Sequence, residues 1–266
     1  MVLASALLKR YAITKLTGTP WHLADAGLSR NRLTKPIFRD AAGREIIRFN
    51  VSHQSGLVAI AAVAARDYPT ASDEDHGGVE IGVDVVCTSE RRTGDHGVIA
   101  RDGWPAFVNT FAEVFAPEEE RYLKNRVVYA VPGLVPPDAT DEQVSDGRLR
   151  AFYALWAMRE AYVKLTGSAL LADWLRQLEF RDFRPPRPAV GWGTEEGVDV
   201  IGDTKMFFRG QPVTDVNLSL RALGDDFMFC TAVRTPGKVE DGMSWALKPY
   251  EMLTLEEVLD VQRENP

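Results

Sequence analysis

The segment Trp156 to Gly167, WAMREAYVKLTG, brings an acid and two cations into a dozen residues. Read as a helix ended by Gly167, it sets Glu160 and Lys164 one turn apart on one face, with Arg159 beside them. Such a group suits a metal-bound substrate that carries phosphate. The plainer alternative is a surface i,i+4 ion pair, worth only about 0.2–0.5 kcal/mol. A second acid weighs against it. Ile81 to Val86, IGVDVV, places Asp84 inside an apolar strand. A buried carboxylate is costly unless it is paired or metal-bound; otherwise Asp84 caps a turn near the strand end. Gly82 would admit a ligand or another backbone at close range. Phe49 to Gln54, FNVSHQ, ends a strand in hydrogen-bonding groups, and His53 could donate to a phosphate oxygen or to a turn carbonyl. Ser52 beside His53 is no hydrolase signature, because a triad is assembled in space and no G-x-S-x-G is present. Asp84 and Glu160 could together bind Mg²⁺, an ion that uses one or two carboxylates plus waters and substrate phosphates. Lys164 and Arg159 could then neutralise phosphate charge.

The elements that must position these residues follow from the pattern. Residues 2–16 read as a helix. Thr34 to Asp40 is extended, since Pro36 pushes Lys35 out of the helical region. Glu45 to Ser52, Leu57 to Ala65 and Val79 to Cys87 read as strands, the last apolar on both faces. Asp67 to Gly78 is a polar loop rich in breakers. Trp104 to Phe115 reads as an amphipathic helix, and Pro117 with three glutamates restarts another. Ala130 to Gly147 is expected to be a Pro-rich acidic loop, with the long helix running from Leu149 to Gly167. Trp174 to Phe183, Asp199 to Arg209, Asp215 to Leu223 and Phe227 to Arg234 are expected strands. The tail from Gly237 is polar and weakly structured except over Thr254 to Arg263. A helix with three strands, then helices with about four strands, predicts an α+β architecture in two similar halves, with a seam near residues 88–103.

Composition bounds the rest. The 266 residues allow one large domain or two small ones, and 45% hydrophobic residues are normal for a folded chain. A net charge of −7 argues against general nucleic-acid binding. Cys87 and Cys230, the only cysteines, form neither a metal motif nor a disulfide framework. The apolar run Gly56 to Ala65 spans ten residues, about half of a bilayer crossing. At the start, apolar residues precede basic ones, the reverse of a signal peptide. The expectation is a cytoplasmic monomer with no membrane and no nucleic-acid partner.

The order of the motifs is specific where each alone is weak. Lys35-Pro36, Phe49 to His53, Gly82 to Asp84 and Trp156 to Lys164 follow one another as in the Sfp-type 4′-phosphopantetheinyl transferases, which the chain resembles from about residue 2 to about residue 235. The stretch WAMREAYVKLTGSALLADWLRQLEF is similar to the fungal branch, which serves polyketide and non-ribosomal peptide synthases. The resemblance implies two pseudo-symmetric α+β halves with coenzyme A bound between them: residues 1–95 on the coenzyme side, residues 96–236 with the metal-binding and catalytic helix, and a tail over residues 237–266. It implies transfer of 4′-phosphopantetheine from coenzyme A to a serine of an apo carrier protein, leaving adenosine 3′,5′-bisphosphate. Asp84, Glu160 and Lys164 match the catalytic residues, and Asp84 and Glu160 match the magnesium ligands. Glu160 also matches the proposed base for the serine, and Lys164 the lysine at the scissile phosphate. Lys35, Pro36, Ser52, His53, Arg159 and Lys164 match coenzyme A contacts, with Thr34 and Pro36 flanking the adenine. The implied partners are carrier domains of polyketide, peptide or fatty acid synthases, or of aminoadipate reductase.

Two positions depart from the family pattern. Bacterial members often place a second acid where this chain has Val86, which leaves two protein carboxylates for the metal, with water or Gln54 completing it. The family usually also has a strand and a basic helical segment before the position of Met1, so the first half is expected to be shortened and part of the coenzyme site affected. An alternative is therefore a non-catalytic module that binds coenzyme A or a carrier protein, and a third is a structural domain whose motifs are ion pairs and turns. If the chain docks an acidic carrier, Phe107, Phe111 and Val114 on the Trp104 to Phe115 helix are a candidate apolar surface; the alternative is that they pack on the core.

Overall fold

Helix α1 (Val2–Thr17) buries Ala12 and Ile13 against an antiparallel sheet of four strands. The computed structural model describes residues 2–31, 35–65, 78–168, 172–189, 199–247 and 250–266. The sheet runs in the order β1 (Leu28–Arg30), β2 (Pro36–Arg39), β3 (Glu45–Gln54) and β4 (Leu57–Ala64). Ser55 and Gly56 both have positive φ, at 46° and 87°, as a two-residue hairpin turn requires. That turn fixes Gln54 opposite Leu57 and so the register of the whole β3–β4 ladder. The alternation on β3 follows, with Asn50 and Ser52 buried on one face and His53 exposed on the other.

Strand β5 (Glu80–Cys87) leads into helices α2 (Arg92–Asp102), α3 (Trp104–Asn109), α4 (Pro117–Asn125), α5 (Val127–Ala130) and α6 (Asp141–Thr166). Strands β6 (Leu178–Arg181), β7 (Val200–Ile201), β8 (Lys205–Phe208), β9 (Gln211–Pro212), β10 (Asn217–Leu223) and β11 (Phe227–Arg234) follow. A second antiparallel sheet has the order β5-β11-β10-β7, and β6-β8-β9 form a third. Strand β5, which the sequence groups with the first half, therefore ladders with the last strand of the second. Its apolar character on both faces has a physical reason. Val83 and Val85 pack on Ala59, Leu223 and Phe229, while Gly82 and Val86 face α6.

Helix α6 starts earlier than the composition suggests. Thr140 accepts a hydrogen bond from the Gln143 amide and Gln143 bonds back, a capping box that draws Asp141 to Gly147 into the helix and out of the expected acidic loop. Gly167, at φ 73°, ends it in the left-handed conformation. Its apolar side closes the main core. There Trp104, Phe107, Phe111 and Phe115 meet Phe152 and Trp156, with ring centroids between 4.8 and 6.3 Å. The expected docking surface is thereby corrected: Phe107 is 4% exposed, and Phe111 and Val114 pack on the same core.

The tail is also more ordered than its polarity suggests. Helices α7 (Val239–Ser244) and α8 (Leu255–Glu264) fold back, and α8 begins at the expected Thr254 with its own capping box. Val258 and Val261 pack with Trp21, Leu7 and Tyr11, and the Trp21 amide donates to the Asn265 carbonyl at 2.9 Å. Trp245 and Leu247 cover Val79, Ile81 and Val233. Among the described residues no helix is long and apolar enough to cross a membrane.

Candidate active site

Asp84, Ser52 and Lys164 converge from three elements. Lys164 Nζ lies 2.6 Å from Asp84 Oδ1 and donates to Ser52 Oγ at 2.9 Å. Ser52 Oγ in turn donates to Asp84 Oδ1 at 2.9 Å. Asp84 comes from the middle of β5, Ser52 from β3 and Lys164 from the last turn of α6. Gly82 makes this approach possible: a Cβ there would lie 1.9 Å from the Ala161 carbonyl oxygen and 2.5 Å from the Leu165 nitrogen. The close neighbour that Gly82 admits is thus the helix backbone.

The electrostatics separate the two acids. Burial pushes the Asp84 carboxyl upward, against the charge of Lys164 and the hydrogen bonds from Lys164, Ser52 and the Val85 amide. Glu160, one turn before Lys164, is pushed up to about 7 by burial first and by the Asp84 charge second, with Lys164 opposing. Two carboxylates, one raised by the charge of the other, stand beside a single ammonium and are short of positive charge. Among the described residues no group of three or more His, Cys, Asp and Glu side chains forms a metal cage. Asp84 and Glu160 could still hold Mg²⁺ as a pair of hard oxygen ligands, the remaining positions going to water and phosphate. Val86, where a further acid would stand, is 2% exposed in the apolar core. Gln54 bonds Glu90.

The other expected residues divide. Lys35 bonds the Leu165 carbonyl at the C-terminal end of α6, and its ammonium is lowered to about 8 by burial first, with Glu80 opposing and Arg48 and Arg234 adding to the shift. His53 is exposed on β3, and Pro36 opens β2 at half burial. Thr34 lies outside the described residues. Arg159 is a correction. Its guanidinium is 1% exposed and donates to both Glu119 oxygens, at 2.9 and 2.7 Å, and to the carbonyls of Leu178 and Leu175. Consecutive residues on a helix point about 100° apart, so Glu160 reaches the cluster while Arg159 enters the core on another side. It cannot meet a coenzyme phosphate there. Sequence reasoning also missed Asp95 of α2, which is 3% exposed and accepts a hydrogen bond from the Tyr153 hydroxyl.

Comparison with known proteins matches the sequence to a family. The family model described as the 4′-phosphopantetheinyl transferase superfamily matches residues 80–206. A second model, the N-terminal part of 4′-phosphopantetheinyl transferase, matches residues 1–65. A Fusarium mangiferae protein, 4′-phosphopantetheinyl transferase 1, is 40% identical over 259 residues, covering 97% of this chain and 77% of its own length. The chain belongs to the 4′-phosphopantetheinyl transferases. It is a transferase of the fungal branch, and the family moves phosphopantetheine from coenzyme A to apo carrier proteins. The 4′-phosphopantetheinyl transferase A of Aspergillus fumigatus is 35% identical over 89% of this chain and 72% of its own length. NpgA of Emericella nidulans, also named a 4′-phosphopantetheinyl transferase, is 30% identical over 89% of this chain and 71% of its own length. Within the superfamily match lie β5 with Asp84 and α6 with Glu160 and Lys164, while the N-terminal match holds Lys35, Ser52 and His53.

Proposed function

We propose that Asp84, Glu160 and Lys164 are the catalytic group of this transferase, with Asp84 and Glu160 as ligands of Mg²⁺. The single observation that carries the reading is the buried Asp84–Ser52–Lys164 cluster with Glu160 raised to about 7 beside it. Glu160, directly or through a water, takes the proton of the carrier serine. The serine oxygen forms a bond to the β-phosphorus of coenzyme A, and the bond from that phosphorus to the adenosine 3′,5′-bisphosphate oxygen breaks. Lys164 has three N–H groups; two serve Asp84 and Ser52, which leaves one for a phosphate oxygen. Bound Mg²⁺ would supply positive charge to the phosphate oxygens. Ser52 holds the Asp84 carboxylate in one orientation. Lys35, Pro36, Ser52, His53 and Lys164 are the coenzyme A contacts of this proposal; Arg159, paired with Glu119 in the interior, is left out of it.

The carriers proposed are acyl and peptidyl carrier domains of polyketide, peptide or fatty acid synthases, with aminoadipate reductase a further candidate, and the working state proposed is a cytoplasmic monomer. Mass spectrometry of an apo carrier protein incubated with the chain, coenzyme A and Mg²⁺ tests the reading. A mass gain of one phosphopantetheine is expected, and no gain in the presence of bound coenzyme A would instead favour a non-catalytic binding module. Metal binding has its own readout: Mg²⁺ should raise the melting temperature of the wild type and not of Glu160→Gln.

A further inference from the structure

We infer that Asn50 is a positioning residue of the reaction, acting through the backbone of β5 on Asp84. The inference rests on the catalytic role proposed for Asp84. Among the described residues, strands β3 and β5 belong to different sheets, and β5 forms its ladder with β11 on one edge only. On its other edge the amides of Val83 and Val85 need partners, because a buried unpaired N–H is expensive. Side chains of β3 supply them. Asn50 Oδ1 accepts from the Val83 amide at 3.0 Å, and Ser52 Oγ accepts from the Val85 amide at 3.3 Å. Asn50 and Ser52 are two apart on one strand, and Val83 and Val85 are two apart on the other, so one period of alternation matches the next.

The result is a substitute ladder in which side-chain oxygens stand where a neighbouring strand would place carbonyls. Asp84 lies between the two latched amides. Its backbone is thereby fixed on both sides from the first half of the molecule. Asn50 is 6% exposed, so its carboxamide serves this interior contact and has little access to solvent. Helix α6 rides on the same strand at Gly82, so the latch also sets where Glu160 and Lys164 stand relative to the β3 residues Ser52 and His53. A shift of this register would move the carboxylates relative to anything bound against β3.

The test uses the full chain with Asn50→Ala and Asn50→Ser, measuring kcat, KM for coenzyme A and for an apo carrier protein, and amide hydrogen exchange resolved at Val83. Asn50→Ala should raise exchange at Val83 about five- to tenfold, the scale of one lost hydrogen bond, with the β10–β11 ladder unchanged. Its kcat should fall about ten- to a hundredfold, the cost of misplacing a catalytic group, with KM for the carrier held. Asn50→Ser should recover part of both losses, since a serine at that position stands to Val83 as Ser52 stands to Val85. Unchanged exchange at Val83 would overturn the inference, as would exchange raised equally along β5, β10 and β11. If Asn50→Ala does not fold, Asn50→Ser decides: lost protection at Val83 together with full kcat overturns it, and retained protection with near-normal kcat supports it. Exchange is read without turnover, so a wild type that transfers no phosphopantetheine would refute the proposed function and leave the latch separately measured.

Discussion

Glu160 ties the chemistry of the site to its stability. Its carboxyl is raised from 4.5 to about 7, by burial first and then by Asp84. The folded state therefore holds this proton more tightly than the unfolded chain. Stability from this group is fully present below about 4.5, is lost as pH rises toward about 7, and stays at the lower level above. In magnesium-free buffer, Glu160→Gln should therefore melt at a higher temperature than the wild type at pH 8 and at nearly the same temperature at pH 4. An equal gain at both values would show that charge is not the cause. Arg159 makes a different case on the same helix. Removing it leaves Glu119 buried without its cation, so Arg159→Met should cost about 3–5 kcal/mol in urea unfolding. Arg159→Lys should not restore it, because a single ammonium cannot reproduce bonds from two guanidinium nitrogens to a carboxylate and two carbonyls. Residue types at the site were legible in the sequence, because an acid in an apolar strand and an acid with a cation on one helix are local patterns. The partner of Arg159 was not, since Glu119 is forty positions away and helical spacing alone does not say which neighbour a side chain meets.

At the scale of elements, the contact between β5 and α6 is the tightest constraint on the site. Gly82 leaves no room for even one methyl group, since the atoms a Cβ would strike belong to the helix backbone. Gly82→Ala should therefore push α6 off the strand, cost at least about 1–3 kcal/mol and separate Lys164 from Asp84. A urea melt with unchanged stability and full turnover would refute this. The sequence located most of these elements: β11 matches its expected span, and α1 and β3 to β5 fall within a few residues of theirs. Other readings failed: the expected Trp104 to Phe115 helix ends at Asn109, the expected Asp199 to Arg209 strand is split into β7 and β8, and two further failures have clear physical reasons. The acidic stretch before α6 is helical because Thr140 and Gln143 cap it, a local signal outweighed by the nearby prolines. Phe107 points inward against the rings of Trp104, Phe111 and Phe152, and a helix stripe of large apolar residues looks the same whether it meets a core or a partner. Sheet membership of β5 was not legible, since its pairing partner β11 lies more than a hundred residues away in sequence.

At the scale of the whole molecule, the tail joins the ends of the chain. Val258 and Val261 bury against Trp21, and Trp245 and Leu247 against Val79, Ile81 and Val233. Each side chain buried this way is worth about 1.5–3 kcal/mol. Deletion of residues 237–266 should therefore lower the melting temperature and raise hydrogen exchange in α1 and β4 more than in α6. Equal exchange in α1 with and without the tail would show that it adds nothing to the first half. The same arrangement distributes the tryptophans among the described residues unevenly. Trp104 and Trp156 sit in the aromatic core, Trp174 stacks edge-on with Tyr162 and Phe208, and Trp21 and Trp245 lie where the tail closes on the body. Intrinsic emission is thus a two-channel optical reporter. In a Trp21→Phe/Trp245→Phe protein the clasp goes dark while the second half still shines, so the difference between two fluorescence traces would time the release of the tail against the loosening of the helix that carries Glu160.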